Sequence, residues 1–243
     1  MIRAVLFDLD DTLFDHRGCA RDALTAVQQS QRCFQSMPFE ALERAHAEFL
    51  EELHAEVMLG RVPLDVARIE RFRRLLESAG VRDEGEVAGT LAALYRDTYR
   101  TRRRAVAGAR ALMAAVKRHA RIGIVSNNVL DEQQDKLTVC SLDQFVDQLV
   151  VSGEVGVSKP DPIIFRTAMH RLDVTSEETV MVGDSWIADI EGARGVGIRA
   201  IWFNPQRSAP PQYAPGDVEQ LHSFEPTDAV LKLILRVAGT YSL

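Results

Sequence analysis

Apolar residues along this chain follow two rhythms. Residues 2–7, 122–125, 149–151, 180–182 and 200–202 are short, nearly continuous apolar runs. Runs without clean alternation suit strands buried on both faces of a parallel sheet. Helical patterns lie between the later runs, so the second half alternates strand and helix as a doubly wound α/β domain does. The first half does not alternate. Between about residues 17 and 103 only helical periodicity is present. One stripe is Leu42, Ala45, Phe49, Leu53 and Val57; a second is Val66, Ile69, Phe72, Leu76 and Ala79; a third is Val87, Leu91, Leu94 and Thr98. Three such stripes predict a small helical bundle with a core of its own. The pattern therefore predicts a Rossmann-like three-layer α/β sandwich around a central parallel sheet, residues 1–16 and 104–243, with a helical insert at 17–103 after the first strand. The proline-rich segment 204–216 reads as a loop, and a last apolar helix is expected from Thr227 to about Val237.

Polar residues cluster where the strand runs end. Asp8-Leu9-Asp10-Asp11-Thr12 follows the first run, Ser126-Asn127-Asn128 the second, and Gly183-Asp184-Ser185, with Asp189 beyond it, the fourth. Lys159 lies in the loop after the third run, before a helix expected to open at Pro160. Ligands of parallel α/β sheets bind beyond the carboxyl ends of the strands, so four loops bring these residues to one rim. Asp8 and Asp10 are two apart and fall on the same side of an extended backbone. Their environments can divide the labour between them. An ionised Asp8 can attack phosphorus directly and form an acyl phosphate. Asp10 can protonate the leaving oxygen and then take a proton from attacking water.

Charge sets the cofactor. Asp8, Asp10, Asp184 and Asp189 against Lys159 leave three negative charges before a phosphate arrives. At ~4 Å and an effective dielectric of ~20, each like-charge pair costs about 4 kcal/mol. A cation is required, and oxygen ligands without a neighbouring histidine or thiol favour Mg2+ over zinc. Ser126, backbone amides near Asn127, and Lys159 are then the expected phosphate contacts. Each motif alone has an ordinary explanation as a turn, a cap or a solvated charge. Their joint occurrence in order does not.

These residues resemble the haloacid dehalogenase superfamily of phosphohydrolases, whose four motifs match Asp8-Leu9-Asp10-Asp11-Thr12, Ser126, Lys159 and residues 183–189. The resemblance implies Asp8 as nucleophile and Asp10 as acid/base. It implies Ser126 and Lys159 as phosphate ligands, and Mg2+ held by Asp8, the Asp10 carbonyl and Asp184 with Asp189 in support. The insert is similar to the four-helix C1 cap of subfamily I, expected to act as a lid. Dehalogenases lack the second acid, so its presence favours a phosphatase. Residues 11–16, 155–160 and 201–204 resemble the 5'-nucleotidase and N-acylneuraminate-9-phosphatase branches. A phosphosugar mutase, which shares every motif, is the enzymatic alternative, and a catalytically silent phosphate-binding module is the other.

Bulk composition narrows the partners. The chain has 243 residues, 46% hydrophobic and 26% charged, with a net charge of −6. That acidity argues against nucleic-acid binding, and a small phosphorylated metabolite, nucleotide or sugar phosphate, is the expected partner. Oligomeric state is left open. The basic clusters Arg71-Arg73-Arg74 and residues 100–104 read by default as solvated helix faces. Cys19, Cys33 and Cys140 have no metal-ligand spacing. No run approaches the roughly 20 apolar residues that span a bilayer, and no leader precedes the first strand run, so a cytoplasmic enzyme without membrane contact is expected.

Overall fold

The computed structural model describes residues 1–83 and 85–236. The chain divides into two compact units: Met1–Asp15 with the chain from Arg104 onward, and His16–Arg103. In the first unit six parallel strands, β1 (Ala4–Phe7), β2 (Arg121–Ser126), β3 (Gln148–Val151), β4 (Thr179–Gly183), β5 (Arg199–Phe203) and β6 (Glu219–Leu221), pair in the order β3-β2-β1-β4-β5-β6. The architecture is α/β and Rossmann-like. Strand β1 is central, with β2 and β4 as its neighbours, so the chain leaves it in one direction and later returns on its other side. That reversal makes the carboxyl end of β1 a switch point, where open α/β sheets form their ligand crevice. The segment 204–216 is free of helix and strand. Strand β6 was not expected: Glu-Gln-Leu at a sheet edge needs no apolar run, because only Leu221 is buried.

In the second unit the helices are α1 (His16–Ser30), α2 (Arg32–Gln35), α3 (Phe39–Met58), α4 (Leu64–Ser78) and α5 (Glu86–Thr101). Their common core includes Ala23, Leu24, Val27, Phe34, Leu42, Phe72, Leu75, Leu76, Ala88, Leu91 and Tyr95. Two of the expected stripes are rotated. Val66, Ile69 and Val87 are exposed, while α4 buries Ala67, Arg71, Phe72, Leu75 and Leu76 and α5 buries Ala88, Leu91 and Tyr95. The reason on α4 is that Arg71 occupies an inward position, which a reading of apolar residues alone assigns to solvent. Arg73 and Arg74 do lie outward, holding Glu70 from both sides, with further pairs to Glu77 and Glu52.

The α/β unit is completed by α6 (Ala109–Lys117), α7 (Leu130–Val139), α8 (Ser152–Val155), α9 (Pro162–Leu172), a π-helical segment (Trp186–Glu191) running into α10 (Gly192–Gly195), and α11 (Thr227–Leu235). The expected end of the last helix at Val237 lies outside the described residues. Helix α9 opens two residues later than expected, because Asp161 caps it by accepting from the Ile163 N–H and Pro162 is its first residue. One sheet face, with Leu6, Val125, Val150, Met181 and Trp202, packs against Ile164, Phe165, Ala168 and Leu172 of α9 and Ile190 and Ala193 beyond β4. Val5, Phe7, Ile122, Ile124, Val180, Val182 and Ile201 alternate with these on the other face, and all are buried. Gly123 permits the close packing of α9, since a Cβ there would lie 2.7 Å from Leu6 and 2.9 Å from Leu172.

The Glu70 pairs make a measurable prediction. Hydrogen bonds from Arg73 chiefly, then Arg74, pull its pKa down to about 2 from an ordinary 4.5. A depressed folded-state pKa stabilises above the unfolded value, and the contribution is lost as pH falls from about 4.5 towards 2. Solvent screening keeps it to about 1 kcal/mol or less. Glu70→Gln is expected to lower the urea midpoint slightly at pH 6, and the difference from the parent should vanish near pH 2.

Candidate active site

Asp8 is held at the end of β1 by its own backbone, whose N–H donates to the Val182 carbonyl at 3.0 Å and continues the β1–β4 ladder. The chain then turns sharply. The Leu9 carbonyl accepts from the N–H groups of Leu13 and Phe14 at 2.9 and 2.8 Å, and Asp11 takes a left-handed φ of +62°, which aspartate tolerates better than most residues. Thr12 closes the turn from inside and donates through Oγ1 to Asp184 Oδ1 at 3.4 Å.

Lys159 joins three loops. Its Nζ donates to Asp8 Oδ1 at 2.6 Å, to Asp189 Oδ1 at 2.6 Å and to the Val125 carbonyl at 2.7 Å. An ammonium has three protons, so every donor is used. Burial opposes its charge, but Asp189 and Asp8 hold its pKa above the ordinary lysine value. Asp189 is fully buried; its second oxygen, Oδ2, accepts from the Ser185 N–H at 2.9 Å, which ties the lysine to the loop after β4. Asn127 fixes the lysine's backbone through a reciprocal pair: its Nδ2 donates to the Lys159 carbonyl at 2.9 Å and its Oδ1 accepts from the Lys159 N–H at 2.7 Å. The Asn127 side chain is thereby committed to the loop after β3.

Asp10 is held apart from this group. Lys136 Nζ donates to both its oxygens at 2.6 and 2.8 Å, and Gln133 Nε2 donates to Oδ2 at 3.0 Å and to Ser126 Oγ at 2.5 Å. Lys136 and Gln133 are one helical turn apart on α7 and both are buried. Reasoning from sequence missed them. Their signal was present: a lysine and a glutamine on the inward face of the helix that follows Ser126, three residues apart. The correction matters for charge. Asp10 has its own cation, so the fully ionised site carries two negative charges rather than three.

Those charges lie in one place. Asp8, Asp184 and Asp189 each offer a carboxylate oxygen, and the three oxygens are within 4.8 Å of one another. Burial first, opposed by Lys159 and reinforced by Asp189, raises the Asp8 pKa to about 7. Burial, then Asp8, Asp189 and Asp11, raise Asp184 to about 8. Three clustered carboxylates with one ammonium among them are short of positive charge, and an oxygen-only donor set suits a hard divalent cation such as Mg2+.

A family model for haloacid dehalogenase-like hydrolases matches residues 2–197. The chain belongs to that family. It is 30% identical over 210 residues to the glyceraldehyde 3-phosphate phosphatase of Pyrococcus furiosus, covering 83% of this chain and 80% of that relative. It is 25% identical over 225 residues to the N-acylneuraminate-9-phosphatase of Rattus norvegicus, covering 86% and 85%. Among solved structures, the HAD hydrolase YfnB from Bacillus subtilis, bound to magnesium, superposes with a TM-score of 0.73 at 24% identity over 95% of this chain and 98% of that one. This last similarity shows the shared fold. For a hydrolase of this family, the four motif loops converge on the rim around Asp8.

His16 opens α1, half-buried, with Nδ1 2.7 Å from the Tyr99 hydroxyl. Arg17 is exposed.

Gly183 provides a direct test of the Lys159 network. A Cβ at this position would sit inside the van der Waals surface of the Asp189 side chain. Gly183→Ala is expected to cost about 1–3 kcal/mol through overpacking, seen as a lower urea midpoint. Any hydrolytic activity should fall with it, because Asp189 can no longer hold Lys159 against Asp8.

Proposed function

We propose that the protein is a Mg2+-dependent phosphatase of a small phosphomonoester, acting through phosphorylated Asp8. The observation that carries this reading is the buried Asp8–Lys159–Asp189 group beside Asp184 at the sheet's switch point. Small phosphorylated substrates are what the named relatives act on. Asp8, the Asp10 carbonyl and Asp184 would hold the ion, with Asp189 in support through Lys159. When bound, Mg2+ supplies charge that offsets the clustered carboxylates and the phosphoryl oxygens.

The chain's own residues then perform a two-step transfer. An Asp8 carboxylate oxygen forms a bond to phosphorus as the bond from phosphorus to the leaving oxygen breaks. For this step Asp10 must enter protonated, which weakens its ion pair with Lys136, and it gives that proton to the leaving oxygen. Water next attacks phosphorus, Asp10 takes the proton back, and the acyl phosphate bond breaks to release inorganic phosphate and free Asp8. Ser126, the Asn127 backbone N–H and Lys159 would meet the phosphoryl oxygens. Each Lys159 proton is already given to a protein acceptor, so contact with phosphate requires sharing or exchange, most simply with the Asp8 oxygen that reacts. Lys136 and Gln133 act as positioning residues, since they set where Asp10 stands.

Three outcomes test this. Asp8→Asn is expected to abolish phosphate release from p-nitrophenyl phosphate while leaving the circular dichroism spectrum unchanged; retained turnover would refute the covalent route. Asp10→Asn should slow alkyl phosphates by about 10²–10⁴-fold and p-nitrophenyl phosphate far less, because nitrophenolate leaves without a proton. Equal losses would remove Asp10 from the acid role. Phosphate release from a monophosphate with no bisphosphate activator would separate this enzyme from a mutase.

A further inference from the structure

The helical unit contains a buried cation that no part of the proposed phosphoryl chemistry uses. Arg71 is 8% exposed. Its Nε has no hydrogen-bond partner, and among the described residues its guanidinium makes no hydrogen bond or ion pair. Its contacts are aromatic: Cζ lies 4.9 Å from the centre of the Tyr95 ring and 5.2 Å from that of Phe72. The largest influences on its charge are burial, Tyr95 and Arg68, and none is a carboxylate. Its neighbours on α4, Arg73 and Arg74, are by contrast fully occupied by glutamates.

His46 of α3 belongs to the same group. It is 4% exposed, its Nε2 has no partner, and its ring centre is 4.8 Å from that of Tyr95. Burial first, then Arg71, hold it neutral. A neutral imidazole has one N–H to give, Tyr95 has a hydroxyl, and Arg71 has five N–H donors in a planar fork. An unpaired buried charge is among the most costly features a core can hold. Helix α4 places this one inward where an apolar residue would serve the packing better.

We propose that Arg71 and His46, each packed against Tyr95, form a binding site for a small carboxylate within the helical unit. One guanidinium without an acidic neighbour matches a monoanion, and its fork matches two coplanar carboxylate oxygens better than a tetrahedral dianion. The carboxylate is that of a small acid bound within the helical unit. The site stands on its own geometry and does not rest on the phosphatase reading.

The test uses the full chain, metal-free and phosphate-free, titrated with sodium lactate by calorimetry while the Arg71 Nε–H signal is followed by NMR. Saturable heat and a shifted Arg71 Nε–H are expected, with affinity at least tenfold weaker in Arg71→Gln and reduced in His46→Gln. The melting temperature of Arg71→Gln should hold or rise, since the variant removes an uncompensated charge; a structural cation would lower it. No heat with the parent protein at 10 mM lactate, or the same affinity in Arg71→Gln, would overturn the site. If the variant does not fold, the NMR signal of the parent protein decides alone, and an unmoved Arg71 Nε–H refutes the proposal. Lactate binding through Arg71 in a protein inert towards every phosphate ester would count against the phosphatase reading alone.

Discussion

The ammonium of Lys159 is the point at which the motif loops become one site. It receives Asp8 from the end of β1, a carbonyl from β2 and Asp189 from beyond β4. Without it, three carboxylates, two of them buried, would face one another across less than 5 Å, and like charges at that separation cost several kcal/mol even at an effective dielectric of ~20. The cost of burying the ammonium is offset only because all three protons are used. The parallel sheet makes this possible. Its strands end on one edge, and the connection from β3 to β4, which carries Lys159, links strands that lie on either side of β1, from whose end Asp8 projects.

A second, separate pairing sets Asp10. One helix, α7, presents Gln133 and Lys136 on its inward face, and between them they fix Asp10 and the Ser126 hydroxyl. Two aspartates two residues apart are thus held by two different lysines, one on helix α7 and one in the loop after α8. That division is what allows neighbouring carboxylates to take different roles. It follows from the sharp turn at Leu9–Phe14 as much as from the side chains, since the left-handed Asp11 carries the backbone away from the sheet immediately after Asp10.

Legibility in the sequence followed burial. Strands β1 to β5 were visible because each leaves a nearly uninterrupted apolar run, β3 included although it is an edge, and β6 was not, because its three residues bury one side chain. The motif residues were visible because they sit at the ends of those runs. Lys136, Gln133 and Arg71 were not. Each is a polar residue at an inward helical position, and periodicity built on apolar residues skips such positions or, on α4, rotates the assigned face away from them.

The two buried cations, Lys159 and Arg71, show how satisfied donors distinguish the work of a charge. Lys159 has three protons and three acceptors on three segments, so its place is explained by the protein's own groups. Arg71 has five donors, two aromatic neighbours and, among the described residues, no acceptor. Cation–π contact contributes about 0.5–2 kcal/mol, less than the desolvation of a guanidinium. Packing alone therefore does not account for it. Phe72, Leu75 and Leu76 already supply the apolar contacts of α4, so what sets Arg71 apart is its unmet Nε–H, and the carboxylate proposed above is the acceptor that would meet it.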